Sequence, residues 1–169
     1  MREALEGQMT DPYFPVDMSV MQAQRHFAGI QEEDRVQFDE MTLITKGIDH
    51  PQGCLGMRLE CNGKVLAYAS DIEPGKPESD RNVRQLAEGA DVLVYDAQYL
   101  PREMKKFKGW GHSSWKEGVR IAKECKVKKL VLFHHDPDRT DKQLDELQRT
   151  ARKHFDKVVA AKEGLTIKL

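Results

Sequence analysis

Val131-Leu132-Phe133 runs directly into His134-His135-Asp136-Pro137, and this junction constrains the fold more than any other stretch. A short apolar run bounded by a turn signal reads as a buried strand. Proline donates nothing to a ladder, so the strand ends before Pro137. Two histidines are thereby placed at the carboxyl end of a buried strand, the edge where open α/β sheets present ligand-binding groups.

The same arrangement recurs along the chain. His50 follows the apolar run Leu43–Ile48, Asp71 follows Val65–Ala69, and Asp96 follows Val92–Tyr95. His112 stands just before a helix start, where free N–H groups favour an anion such as phosphate. Imidazole nitrogen and carboxylate oxygen are the donor set for zinc and related divalent ions. Taken singly, each of these residues is more often a hydrogen-bonded turn residue than a ligand. It is their coincidence in one chain that points to a site. Asp136-Pro137-Asp138 is a turn formula without chemistry. His26 reads as a surface histidine, and Tyr68, Trp110 and Trp115 read as packing residues. Lys105, Lys106 and Lys108 read as a solvated basic face.

The intervening segments alternate in type. Residues 1–9 suggest a helical turn or two, and Pro12 to Pro15 an extended stretch. Residues 23–48 read as β structure, with strands in Arg25–Ile30, Val36–Phe38 and Met41–Thr45, the last two joined through Asp39-Glu40. Cys54–Glu60 and Lys64–Ala69 flank Cys61-Asn62-Gly63, and Asn-Gly between apolar runs is a strong hairpin signal. Beyond Pro77 the pattern becomes βα. Ser79 is placed to cap a helix over 79–89. Ser114-Trp115-Lys116-Glu117 and Thr140-Asp141-Lys142-Gln143 read as capping boxes opening helices over 114–124 and 140–155. Short strands are expected at Val158–Ala160 and Leu165–Ile167.

The 169 residues read as one domain, 1–169. A formal net charge of -1 argues against a nucleic-acid or membrane-surface footprint, so nucleic acid is not the expected partner. No segment has the apolar length of a transmembrane helix. The three cysteines show no C-x-x-C spacing, which favours reduced thiols and a cytoplasmic setting.

Several ordered segments resemble a known family: His50-Pro51-Gln52-Gly53, Gly56-Met57-Arg58-Leu59-Glu60, Tyr68-Ala69-Ser70-Asp71, Gly111-His112-Ser113-Ser114 and Leu132-Phe133-His134-His135-Asp136-Pro137. The chain resembles the carboxyl-terminal part of metallo-β-lactamase-superfamily hydrolases, in the branch of ribonuclease Z and cyclic-nucleotide phosphodiesterases. The resemblance implies an α/β fold equivalent to the second half of an αββα sandwich. It implies a two-metal site for zinc, manganese or iron. His50 and Asp71 would ligate one metal, and Asp71 would bridge to a second held by His134. His135 is the alternative to His134, and Asp96 a further candidate. His112 would contact the scissile phosphate and protonate the leaving group, and Asp71 would share in catalysis through the metals. The reaction implied is metal-assisted hydrolysis, with a cyclic nucleotide or other small phosphodiester as the expected substrate.

The family's His-x-His-x-Asp-His signature does not occur in this sequence, which contains no His-x-His. Three expectations follow: an amino-terminally truncated form of an enzyme, a half-domain completed by another chain, or a non-catalytic interaction module with an incomplete metal site. The first two carry a further expectation. An apolar sheet face and an unpaired edge left bare would drive self-association or capture of a complementing chain.

Overall fold

The computed structural model describes residues 2–169 and divides into two compact units, residues 1–30 and 31–169. In the first, α1 covers Arg2–Glu6 and a single 3-10 turn covers Met18–Val20. Asp17 caps that turn by accepting from Ser19 N at 2.7 Å. Met1, the first residue of the expected helical turn, lies outside the described residues. The strand expected over Arg25–Ile30 is not formed. Residues 21–29 are exposed, so alternation there has no buried face to reward it.

The second unit is built on one seven-stranded sheet whose spatial order follows the chain. The strands are β1 (Arg35–Phe38), β2 (Met41–Ile48), β3 (Cys54–Cys61), β4 (Lys64–Ala69), β5 (Val92–Asp96), β6 (Leu130–Phe133) and β7 (Val158–Ala160). From β1 to β4 the pairing is antiparallel, and from β4 to β7 it is parallel. The β3–β4 hairpin turns at Asn62 and Gly63, with φ of 49° and 72°. Positive φ at both central residues gives the turn twist that matches the strands.

Parallel strands require crossovers, and these are helical. They are α2 (Pro77–Ala87), α3 (Trp115–Glu124) and α4 (Asp141–Arg152). α2 packs on β2, β3 and β4, α3 on β5 and β6, and α4 on β7. The core between helices and sheet joins Ala67, Leu93, Tyr95, Leu130 and Leu132 to Val83, Leu86, Ile121 and Ala122. Gly56 lets α2 approach β3, because a Cβ there would stand 2.5 Å from Leu86 Cδ1 and 3.1 Å from Ile48 Cγ2. Gly56→Ala is therefore expected to destabilise the fold by about 1–3 kcal/mol, read by denaturant unfolding.

Helix starts differ from the sequence reading. α2 begins at Pro77, a residue whose missing N–H and fixed φ suit the first helical position. Ser79 lies one turn further in and caps nothing; its Oγ accepts from Asp49 N at 2.8 Å. Ser114 occupies the N-cap of α3 without a side-chain cap bond, so the expected box is not closed there. Thr140 and Gln143 do close the box of α4. The strand expected at Leu165–Ile167 is absent.

The sheet face away from the helices is bare only in part. Met57, Leu59, Leu66, Tyr68 and Val94 are partly buried and Phe133 is 38% exposed, whereas Leu43, Val92 and Val131 are buried. Among the described residues, no helix is long and apolar enough to cross a membrane.

Candidate metal centre

The strand ends converge. His50 follows β2, Asp71 follows β4, Asp96 closes β5, His112 precedes α3 and His134 follows β6. Parallel strands in register bring their carboxyl ends to one edge, so residues far apart in the chain meet there. Two groups of three ligand atoms each lie within 4.8 Å of one another: His50, Asp71 and His112, and Asp96, His112 and His134.

Asp71 and His134 both adopt left-handed backbone, with φ of 58° and 54°. Such φ values are uncommon for residues with a side chain and concentrate at functional sites. The result is that His134 Nε2 faces Asp71 Oδ1 at 3.5 Å. Two donors bound about 2.0–2.1 Å from one tetrahedral ion stand about 3.4 Å apart, so this pair fits a shared divalent ion. The two side chains are 35% and 37% exposed, which leaves them open to solvent.

Asp96 is different. It is fully buried, and each carboxylate oxygen accepts two donors. Oδ1 takes Gln98 N at 3.1 Å and Ser113 N at 2.9 Å; Oδ2 takes Asp71 N at 3.1 Å and His112 Nδ1 at 2.9 Å. With about four acceptor positions, a carboxylate so bonded has none left for an ion. Asp96 therefore orients His112 and anchors the Asp71 backbone. Its bond to Nδ1 leaves Nε2 as the free nitrogen of His112.

The imidazoles pack together. His112 and His134 stack with ring centroids 4.7 Å apart, and His50 meets His112 edge-on at 5.8 Å. The hydrogen bond to Asp96 raises the His112 pKa above its ordinary value, against the opposing effect of burial. For a base with a raised folded pKa, the stabilisation is complete below the unfolded value near 6.5 and is lost as pH rises through the folded value. Thermal stability is thus expected to decline over that window, and the decline to be missing in His112→Gln. A pH series of melting temperatures reads both.

His135 points elsewhere. Both ring nitrogens are sealed from solvent and belong to neither ligand group. Burial, only partly offset by the Ala161 backbone, lowers its pKa. Of the aromatic residues expected to pack, Trp110 does not: it is 60% exposed, touching Phe107 edge-on at 5.2 Å. Trp115 does pack against the core and stacks on His154.

The Beta-lactamase superfamily domain family matches residues 10–135, three quarters of the chain. The chain belongs to that family. Among curated relatives, this superfamily member is 30% identical to a ribonuclease Z of Nitrosopumilus maritimus over 136 residues, which is 80% of this chain and 42% of the relative. It is 31% identical to a ribonuclease Z of an Exiguobacterium species over 110 residues, 62% of this chain and 31% of the relative. It therefore spans less than half of either relative. Among solved structures, the metallo-beta-lactamase fold protein YhfI of Bacillus subtilis superposes with a TM-score of 0.67 at 23% identity, covering 82% of this chain and 54% of that one. Human tRNase Z, short form, superposes at 0.60 and 21% identity, covering 79% and 45%. The α/β architecture is accordingly that of a metallo-β-lactamase fold, matched over part of its extent.

Sequence reasoning had found each of the converging residues but not their supports. Ser79 and Lys76 bond Asp49, next to His50, from 30 and 27 positions away, and Glu73, two residues past Asp71, accepts from Gly109 N 36 positions away. No local pattern marks such partners.

Proposed function

We propose that this chain carries half of the two-metal site of a phosphodiester hydrolase, with His50 and Asp71 as ligands of one divalent ion and Asp71 and His134 as ligands of a second. The observation that carries this reading is the 3.5 Å approach of His134 Nε2 to Asp71 Oδ1, made by two residues in left-handed backbone at the ends of β4 and β6, across the end of β5. Zinc, manganese and iron all suit this donor set. When bound, the ion supplies Lewis-acid polarisation and an activated water.

The chain's own residues supply the rest. Asp96 holds His112 through Nδ1, so Nε2 is the atom that faces the reacting group. The same interaction favours the protonated ring, and His112 is placed to donate a proton from Nε2 to the leaving oxygen. His112 and His50 wall the site on one side, and the stacked His134 fixes the plane of the His112 ring. Arg139 ties the turn after β6 to the loop after β5 by bonding Gln98 O at 3.3 Å and pairing with Glu103.

The substrate class follows from the relatives and from charge. A small phosphodiester such as a cyclic nucleotide fits a chain with net charge -1. The relatives named ribonuclease Z favour a second reading, an RNA phosphodiester. When the half-site is completed by a segment carrying the missing His-x-His-x-Asp-His ligands, the metal-loaded assembly is expected to hydrolyse bis(p-nitrophenyl) phosphate and a cyclic nucleotide, and to lose both activities on chelation. Cleavage of a transfer-RNA precursor without cyclic-nucleotide hydrolysis would transfer the assignment to RNA. Loss of neither activity on chelation would remove the metal reading.

A further inference from the structure

We infer that Glu73 is a positioning residue, whose carboxylate clamps the Gly109–Gly111 loop and so sets the place of His50; this rests on the metal-site reading above. The two Glu73 oxygens accept Gly109 N at 2.8 Å each, and Oε2 also accepts Gly111 N at 2.9 Å. One carboxylate thus gathers two backbone amides from a loop 36 and 38 residues along the chain. Both glycines have positive φ, 87° and 85°, which turns their N–H groups toward a common acceptor. Glu73 is itself fixed, since its N donates to Asp49 O at 2.9 Å. The clamp therefore joins three segments: the turn bearing Asp71, the turn bearing His50 and the loop leading to His112.

Its consequence falls on His50. Gly111 is buried, and a Cβ there would lie 2.4 Å from His50 Cδ2, 2.6 Å from Pro51 Cδ and 2.9 Å from His50 Nε2. The Gly111 backbone is therefore the wall against which the His50 ring rests. Moving that loop by a fraction of an ångström moves the wall. Charge-assisted bonds from amides to a carboxylate are about twice as strong as neutral ones, so the wall is held firmly. The hydrogen bonds of Glu73 run to backbone groups of Asp49, Gly109 and Gly111, which makes its action on the site an indirect one.

Two variants test the clamp: Glu73→Ala removes the acceptors, and Glu73→Gln keeps one oxygen of similar reach. Three readouts are used on the whole chain. Amide hydrogen exchange without metal is expected to quicken about tenfold or more at Gly109 and Gly111 in Glu73→Ala and less in Glu73→Gln, with the core amides of β5 and β6 unchanged. The His50 imidazole NMR signals are expected to shift in the same order. Zinc affinity, by competition with a chromophoric chelator, is expected to weaken about tenfold in Glu73→Ala, with partial recovery in Glu73→Gln. Unchanged exchange and unchanged His50 signals in Glu73→Ala would overturn the clamp. Equal loss of protection in loop and core would also overturn it, since Glu73 would then be a general stabiliser. A wild-type chain that binds no zinc would remove the functional reading instead, while exchange and the His50 signals still decide the clamp.

Discussion

In the proposed hydrolase, once its metal site is completed, Asp96→Asn is expected to slow phosphodiester hydrolysis by about a thousandfold to ten-thousandfold, because an asparagine in its place presents an amide NH2 where four donors already converge. The His112 ring then loses the bond that fixes its tautomer and its elevated pKa. Substrate binding is expected to change little, so the loss falls on kcat. Stability suffers as well. A buried acceptor of three backbone amides is replaced by one that satisfies only part of them, at a cost of about 2–3 kcal/mol. An NMR titration of His112 separates the two effects: its midpoint is expected to fall in Asp96→Asn even under conditions where the variant is fully folded. A variant with a normal rate and an unshifted His112 would contradict the orienting role.

Asp71→Ala is the second large effect. Asp71 contributes its carboxylate opposite His134 and its backbone N–H to Asp96. Alanine removes the first and leaves the second, so metal binding is expected to fall by at least a hundredfold while the Asp96–His112 pair stays in place. Alanine is no easier than aspartate at φ 58°, so no gain comes from the backbone. Asp71→Gly is expected to be more stable than Asp71→Ala for the same reason, with equal loss of metal affinity. Equal melting temperatures for the two variants would show that the left-handed backbone is not a source of strain.

Much of this site was legible in the sequence because its residues sit where a periodic signal stops. The run Val92–Tyr95 ends at Asp96 and the run Leu130–Phe133 ends at His134, and a parallel sheet then does the assembling. The Asn62-Gly63 hairpin was equally plain, since both residues accept positive φ. What local pattern could not show was the support. Ser79 reads as a helix cap until Pro77 is seen to start the helix and Ser79 Oγ is found on Asp49 N. No local pattern singles out Glu73, because its partners at Gly109 and Gly111 lie far along the chain. His134 and His135 are equivalent as letters. The backbone separates them, turning the first toward Asp71 and sealing the second from solvent. Arg25–Ile30 failed for a related reason: alternation predicts a strand only where one face is buried, and there it is exposed.

That the strand-end residues hold a divalent ion is tested most directly by the metal content of the purified protein and its single variants, measured by elemental analysis after equilibration with zinc. Bound zinc is expected in the wild type and in a folded His135→Gln variant, and is expected to be lost in His134→Ala and Asp71→Ala. Zinc retained in both of the last two variants, or absent from the wild type, would contradict the site.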